Sequence, residues 1–160
     1  TFPDYKVSKG LMRLYPKVKF IYIIRNGCDV VQSRTKFSGF RQQAFEEQCR
    51  GWVRSMKNFR YLLSLESAIE VRHEQLVARP EELFQNIFNF MGVENHEGPV
   101  NYVRNNIVHP LEKPTQGAIN VEKFFSKRKP SYESWPPEQR EIFKRICGES
   151  MHESGYAMPF

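Results

Sequence analysis

An arginine at the end of an apolar run and a hydroxyl eight residues later stand in Phe20-Ile-Tyr-Ile-Ile-Arg25-Asn-Gly-Cys-Asp-Val-Val-Gln-Ser33. A planar guanidinium fork with a nearby hydroxyl is a phosphate-binding pair. Arg25 would project above the carboxyl end of a sheet, and Ser33 would lie two turns into the following helix. The N-terminus of that helix would add N–H groups and the positive end of a dipole. The same spacing admits a second reading, in which Arg25 pairs with Asp29 and Ser33 fills a slot for a small residue. Residue chemistry leaves both open. A basic cluster, Lys127-Arg128-Lys129, is either a further anion contact or a solvated loop. Cys28, Cys49 and Cys147 are far apart in the chain and lack metal-ligand spacing, so they read as reduced core thiols and not as a zinc site. His96, His109 and His152 are isolated and read as surface or loop histidines.

The elements that must position Arg25 and Ser33 are a strand, a turn and a helix. Lys19 to Ile24 is a continuous run rich in β-branched and aromatic residues, the pattern of a strand buried on both faces of a parallel sheet. Arg25-Asn26-Gly27 ends it, and Asp29, Val30 and Val31 open a helix. Such turns in open α/β sheets are where ligands bind. Tyr5 to Tyr15 has helical periodicity and is stopped by Pro16. From Arg41 to Leu63, apolar residues at Phe45, Cys49, Trp52, Val53, Met56, Phe59 and Leu63 predict the longest helix. Ala68 to Arg72 is a second strand, ended by His73-Glu74. Pro80, Glu81 and Glu82 start a helix that runs to Gly92. Glu94 to Ser134 reads as a long surface loop with a short helix near Val100 to Asn105. Pro136-Pro137-Glu138 opens a last helix that ends near Gly155.

The chain has 160 residues with Lys+Arg 24 against Asp+Glu 18, a net charge of +6 and a pI of about 9.3. Aromatics make up 14%, enough large side chain for a packed core, which excludes a disordered chain. No apolar run is long enough to span a bilayer, and the start lacks the layout of a signal peptide. The chain begins at Thr1 without an initiator Met, so residues 1–160 are expected to be a single but partial domain of a longer protein. The positive charge by itself fits an anionic ligand, a nucleic acid or neither.

With these residues in view, the Arg25 to Ser33 segment resembles the sulfotransferases that use 3′-phosphoadenosine 5′-phosphosulfate. Their second nucleotide-binding segment is a hydrophobic strand, then Arg-Asx-x-x-Asp-Val, then a Ser eight residues after the Arg. The resemblance implies that Arg25 and Ser33 bind the 3′-phosphate of that cofactor. Val71-Arg-His-Glu-Gln-Leu through Phe90-Met-Gly is similar to the family's Arg-Tyr-Glu-Asp-Leu to Phe-Leu-Gly segment, and Trp135 and Gly155-Tyr156 are similar to its C-terminal end. Phe37-Ser-Gly-Phe40 and Trp52 resemble the tyrosylprotein branch. His73 stands where cytosolic members of the family carry a Tyr that contacts adenine, so in the resemblance stacking on the base is either supplied by imidazole or lost, and the residue otherwise reads as a partly exposed His closing a strand. Arg128 and Lys129 match the Arg-Lys-Gly element that wraps the 3′-phosphate, with Pro130 in place of the Gly.

What the resemblance implies is an α/β fold, a P-loop-kinase-like central parallel sheet flanked by helices, whose N-terminal P-loop part would precede Thr1. The implied activity is transfer of a sulfuryl group from the cofactor to a hydroxyl or amine of a small-molecule, carbohydrate or peptide acceptor, without a metal and without nucleic acid. Thr1-Phe2-Pro3 resembles the end of the family's Lys-Thr-x-x-Pro stretch with Phe2 in place of a catalytic His, so no general base is assigned. Cysteine usage points to the cytoplasm, whereas a tyrosylprotein-like member would work in a secretory lumen. Three other readings stand beside this one: a basic nucleic-acid-binding domain, another P-loop nucleotide enzyme, and an inactive fragment.

Overall fold

The computed structural model describes residues 5–108 and 131–160. Its elements run α1 (Tyr5–Leu14), β1 (Phe20–Ile24), α2 (Gly27–Lys36), α3 (Phe45–Leu63), β2 (Ala68–Arg72), α4 (His73–Ala78), α5 (Pro80–Met91), α6 (Glu97–Val103) and α7 (Pro137–Glu153). One π-helical turn, Arg104–Val108, extends α6, and a 3-10 turn, Ser131–Ser134, precedes α7. The expected α/β class with a parallel sheet is what forms: β1 and β2 pair in parallel with Ile23 opposite Val71 and Ile24 opposite Arg72. The chain divides into two compact units, one holding the strands with α4 to α6 and the other α1 to α3 with α7. No helix of the described residues is long and apolar enough to cross a membrane.

In the sheet-containing unit, α5 forms because Pro80 occupies its first position, Glu81 and Glu82 face its positive end, and Gly92 closes it at a φ of 74°. Its buried Leu83 and Ile87 pack on Val71 of β2, with Leu76, Phe84 and Met91 around them. The strand expected to be buried on both faces is buried on one. Tyr22 and Ile24 are 3% and 2% exposed, while Ile21 and Ile23 are 36% and 54% exposed. The difference follows from period-two alternation: Ile23 lies beside Val71 on the face that α5 covers, but the α5 contacts centre on β2. A second difference is α4. His73-Glu74 does not merely end β2 but starts a six-residue helix.

The other unit is a helical core. Trp52 of α3 lies 6.5 Å from Phe143 of α7, and Trp135 lies 5.2 Å from Phe143 and 5.0 Å from Phe45. The indole N–H of Trp135 donates to the side-chain oxygen of Gln32 on α2. Helix α3 starts at Phe45, the first residue of its apolar pattern and four residues after the expected bound at Arg41. Residues 37–43 form turns, in which Phe40 N–H donates to Phe37 O at 3.0 Å and Gln43 N–H to Phe40 O at 2.9 Å. The buried amide of Gln48 donates to the carbonyls of Phe40 and Gln43, both at 3.3 Å, and holds this turn instead of letting it continue the helix. At the other end Leu62 is buried and Leu63 is 38% exposed, because a 3.6-residue period carried from Cys49 reaches both and the packing selects the first.

Candidate functional site

Helix α2 begins directly after the turn that follows β1. Asn26 caps it: its side-chain oxygen accepts the Cys28 N–H at 2.9 Å, satisfying one of the free donors of the first turn. Gly27 is required by packing. A Cβ there would lie 2.9 Å from Cζ2 of Trp52 and 3.0 Å from Sδ of Met151, so only glycine lets the start of α2 approach α3 and α7 this closely. The turn that looks like a ligand loop in the sequence is therefore anchored on the helical core.

Arg25 is the residue immediately after β1, and its Nη2 lies 3.1 Å from Oδ2 of Asp29. Both side chains are partly exposed, 26% and 35%. The pairing weighed from sequence is thus present. Ser33 lies one turn beyond Asp29 on the same row of α2, is exposed, and its hydroxyl makes no hydrogen bond among the described residues. Asp29 therefore stands between the guanidinium and the hydroxyl. The signal that could have placed it is the i, i+4 spacing from Asp29 to Ser33.

The remaining candidates sit elsewhere. His73 is the first residue of α4 in the sheet-containing unit, half-buried, directly after Arg72, whose Nε pairs with Glu70 at 2.8 Å. Arg128 and Lys129 lie outside the described residues. The structure thus puts Arg25 and Ser33 on one turn and helix, and His73 on an element of the other unit.

The cysteines, distant in sequence, share one core. All three are buried and free, and Cys147 Sγ lies 3.8 Å from the Cys49 carbonyl oxygen. Burial, with the charge of Asp29 adding to it, pushes the Cys28 thiol up to about 12, and a hydrogen bond with Cys49 together with burial pushes Cys147 up further. Cys28 and Cys147 stay protonated at neutral pH, and the three buried cysteines pack as small apolar side chains. His96 plays a structural part, since its Nδ1 accepts the Gly98 N–H at 2.9 Å and caps α6. Among the described residues no group of three metal-ligating side chains comes together. A depression lined by Gln75, Arg79, Glu82, Leu83 and Asn86 places its opposite charges 3.3 Å apart, so Arg79 and Glu82 satisfy each other there.

Comparison with known proteins meets this geometry on the same segment. A family model described as the sulfotransferase family matches residues 5–97, more than half of the chain, and so takes in β1, the Arg25 turn, α2 and β2. A solved structure, the sulfotransferase domain from the curacin biosynthetic pathway, superposes with a TM-score of 0.61 at 17% identity. The match covers 98% of this chain and 60% of that one, so residues 1–160 span about three-fifths of that structure's length. At such identity the likeness is one of fold. No curated protein matches the chain in sequence.

Proposed function

The chain belongs to the sulfotransferase family, and from that premise we propose that it binds 3′-phosphoadenosine 5′-phosphosulfate and takes part in moving a sulfuryl group to a hydroxyl or amine acceptor. The observation that carries the reading is the coincidence of the family match with a strand-end guanidinium and a helix hydroxyl on one face of α2. The donor set suits a phosphate group. Arg25 offers a planar fork of N–H donors, Ser33 an uncommitted hydroxyl, and neither belongs to the apolar core. When bound, the cofactor supplies an activated sulfuryl group and a phosphate leaving group.

The work of Arg25 and Ser33 in this reading is binding at a distance from the reacting atoms. Each holds an anionic group, and the energy released there fixes the position of the rest of the molecule. Asp29 orients the Arg25 side chain by its ion pair and sets the geometry in which the fork meets a ligand. Gly27 and Trp52 fix the helix that carries Ser33. His73 would contribute imidazole to the base, and Arg128 with Lys129 would add positive charge to the same phosphate. No group is assigned as general base.

Calorimetric titration of the 160-residue chain with 3′-phosphoadenosine 5′-phosphate and with adenosine 5′-phosphate tests the reading. Tenfold preference for the bisphosphate, about 1.4 kcal/mol, is the expected result. Equal binding of the two, or tight binding of an oligonucleotide that the bisphosphate does not displace, overturns it. Ser33→Ala is expected to weaken bisphosphate affinity by about 1 kcal/mol, roughly fivefold, since a neutral hydroxyl donor contributes less than a charged fork. Full affinity in that variant removes Ser33 from the site.

A further inference from the structure

Beside Ser33 on α2, but about 100° around the helix, is Arg34, which the proposed cofactor reading does not use. Its guanidinium carbon lies 4.7 Å from the centroid of the Phe40 ring. On another side it lies against α3 at the one position without a side chain: a Cβ on Gly51 would be 2.7 Å from both terminal nitrogens and 3.0 Å from the central carbon. The ring that supports it is itself held, because the buried Gln48 amide donates to the Phe40 carbonyl at 3.3 Å. A flexible cation has thus been confined between an aromatic ring and a helix backbone.

No carboxylate answers its charge among the described residues. The Nε of Arg34 is buried without a hydrogen-bond partner. Among the described residues no carboxylate forms an ion pair with Arg34 or with Arg54, which lies one turn beyond Gly51 on α3. Arg50, in the same helix, behaves differently and pairs with Glu46 at 2.6 Å. Glu47, one turn before Gly51, reaches neither guanidinium within ion-pair distance. Burial, and after it the charge of Arg54, lowers the proton affinity of Arg34, with Cys49 acting in the opposite direction. Two neighbouring guanidiniums, one of them immobilised, form an arrangement that a doubly charged oxyanion relieves, and the edge of an immobilised fork is already shaped for two oxygens.

We propose that Arg34 and Arg54 form an oxyanion site between α2 and α3, distinct from the Arg25 and Ser33 pair, whose ligand is a phosphoryl or sulfuryl group. Phe40 and Gly51 hold the fork in place, and Arg54 supplies the second charge. The site stands on its own geometry and does not depend on the cofactor reading.

The test follows the Arg34 Nε–Hε resonance of the uniformly ¹⁵N-labelled 160-residue chain during titration with inorganic phosphate, against sodium chloride at matched ionic strength. A saturable shift with phosphate alone is expected. Arg54→Gln, at an exposed helix position, should weaken it at least about fivefold by removing one of two charged contacts. Gly51→Ala should weaken it comparably with every charge retained, because the added Cβ displaces the fork; circular dichroism of both variants establishes that they are folded. Arg25→Ala should leave this titration unchanged even where it abolishes nucleotide binding, which separates failure of the site from failure of the cofactor reading. A second arm with phenyl phosphate distinguishes the source: binding as tight as the free ion assigns a phosphoryl group carried on an organic molecule, and exclusion assigns the free ion. Identical shifts with phosphate and chloride, or a phosphate shift unaltered in both folded variants, overturn the proposal.

Discussion

Arg25→Ala should lower affinity for 3′-phosphoadenosine 5′-phosphate by at least about 2 kcal/mol, roughly thirtyfold, while leaving the fold almost untouched. Two losses combine. The charge-assisted fork is gone, and Asp29, which Arg25 now neutralises at 3.1 Å, is left as a bare carboxylate between the missing guanidinium and Ser33. An incoming phosphate would then meet a negative charge where it had met a positive one. Stability changes little because the pair is a partly exposed i, i+4 contact, of a kind that contributes about 0.3 to 0.5 kcal/mol. Adding Asp29→Asn to the Arg25→Ala chain should therefore restore part of the binding, since it removes the repulsion without replacing the fork. Arg25→Lys should recover less than the wild-type affinity, because an ammonium keeps the charge and loses the bidentate geometry. Calorimetry on the four chains, with circular dichroism to establish folding, checks the scheme. Unchanged affinity in folded Arg25→Ala sinks the assignment.

The elements around this arginine are legible in sequence because each is specified locally. A β-branched run, a polar turn and an Asn cap leave little choice of structure over residues 20–36, and Pro80 with Gly92 brackets α5 in the same way. Less is legible where the outcome depends on partners distant in the chain. Nothing in Ile21 or Ile23 says that their face stays open, since that is decided by where α5 packs. The shared core of Cys28, Cys49 and Cys147 arises from α2, α3 and α7 meeting, and no spacing announces it. Gln48 holds the turn before α3 and so delays the start of that helix, through a side chain that propensity treats as a good helix former. In the proposed site, Arg25 and Ser33 are singled out by their types and separation, and the alternative partner Asp29, which the structure pairs with Arg25, is readable in the same way. The position of Arg34 is not, because its meaning lies in Phe40 and Gly51, six and seventeen residues away.

The second large effect lies in the core that holds this helix. Phe143 is fully buried and sits among Trp52, Trp135 and Phe160, at centroid distances of 6.5, 5.2 and 6.1 Å. Phe143→Ala is expected to cost about 3 to 5 kcal/mol, the transfer energy of the ring plus that of the cavity left behind. Three large aromatic neighbours cannot collapse into the space without leaving their own positions, which places the cost toward the upper end. Domains of this size have total stabilities of about 5 to 15 kcal/mol, so the variant should lose most of its margin. Phe160→Ala should cost distinctly less, because that ring is only partly buried and water already reaches one side of it. Urea unfolding followed by tryptophan fluorescence measures both, and a Phe143→Ala loss under about 1 kcal/mol would mean that the aromatic cluster does not organise this unit. The consequence for binding runs through Trp52, whose ring leaves no room for a Cβ on Gly27 and so sets where α2 starts. Phe143→Ala should therefore weaken bisphosphate binding only as far as it unfolds the chain or lets Trp52 shift. Arg25→Ala, by contrast, should abolish most of the binding in a protein that unfolds at nearly the wild-type urea concentration, and that opposite pattern separates a ligand contact from its support.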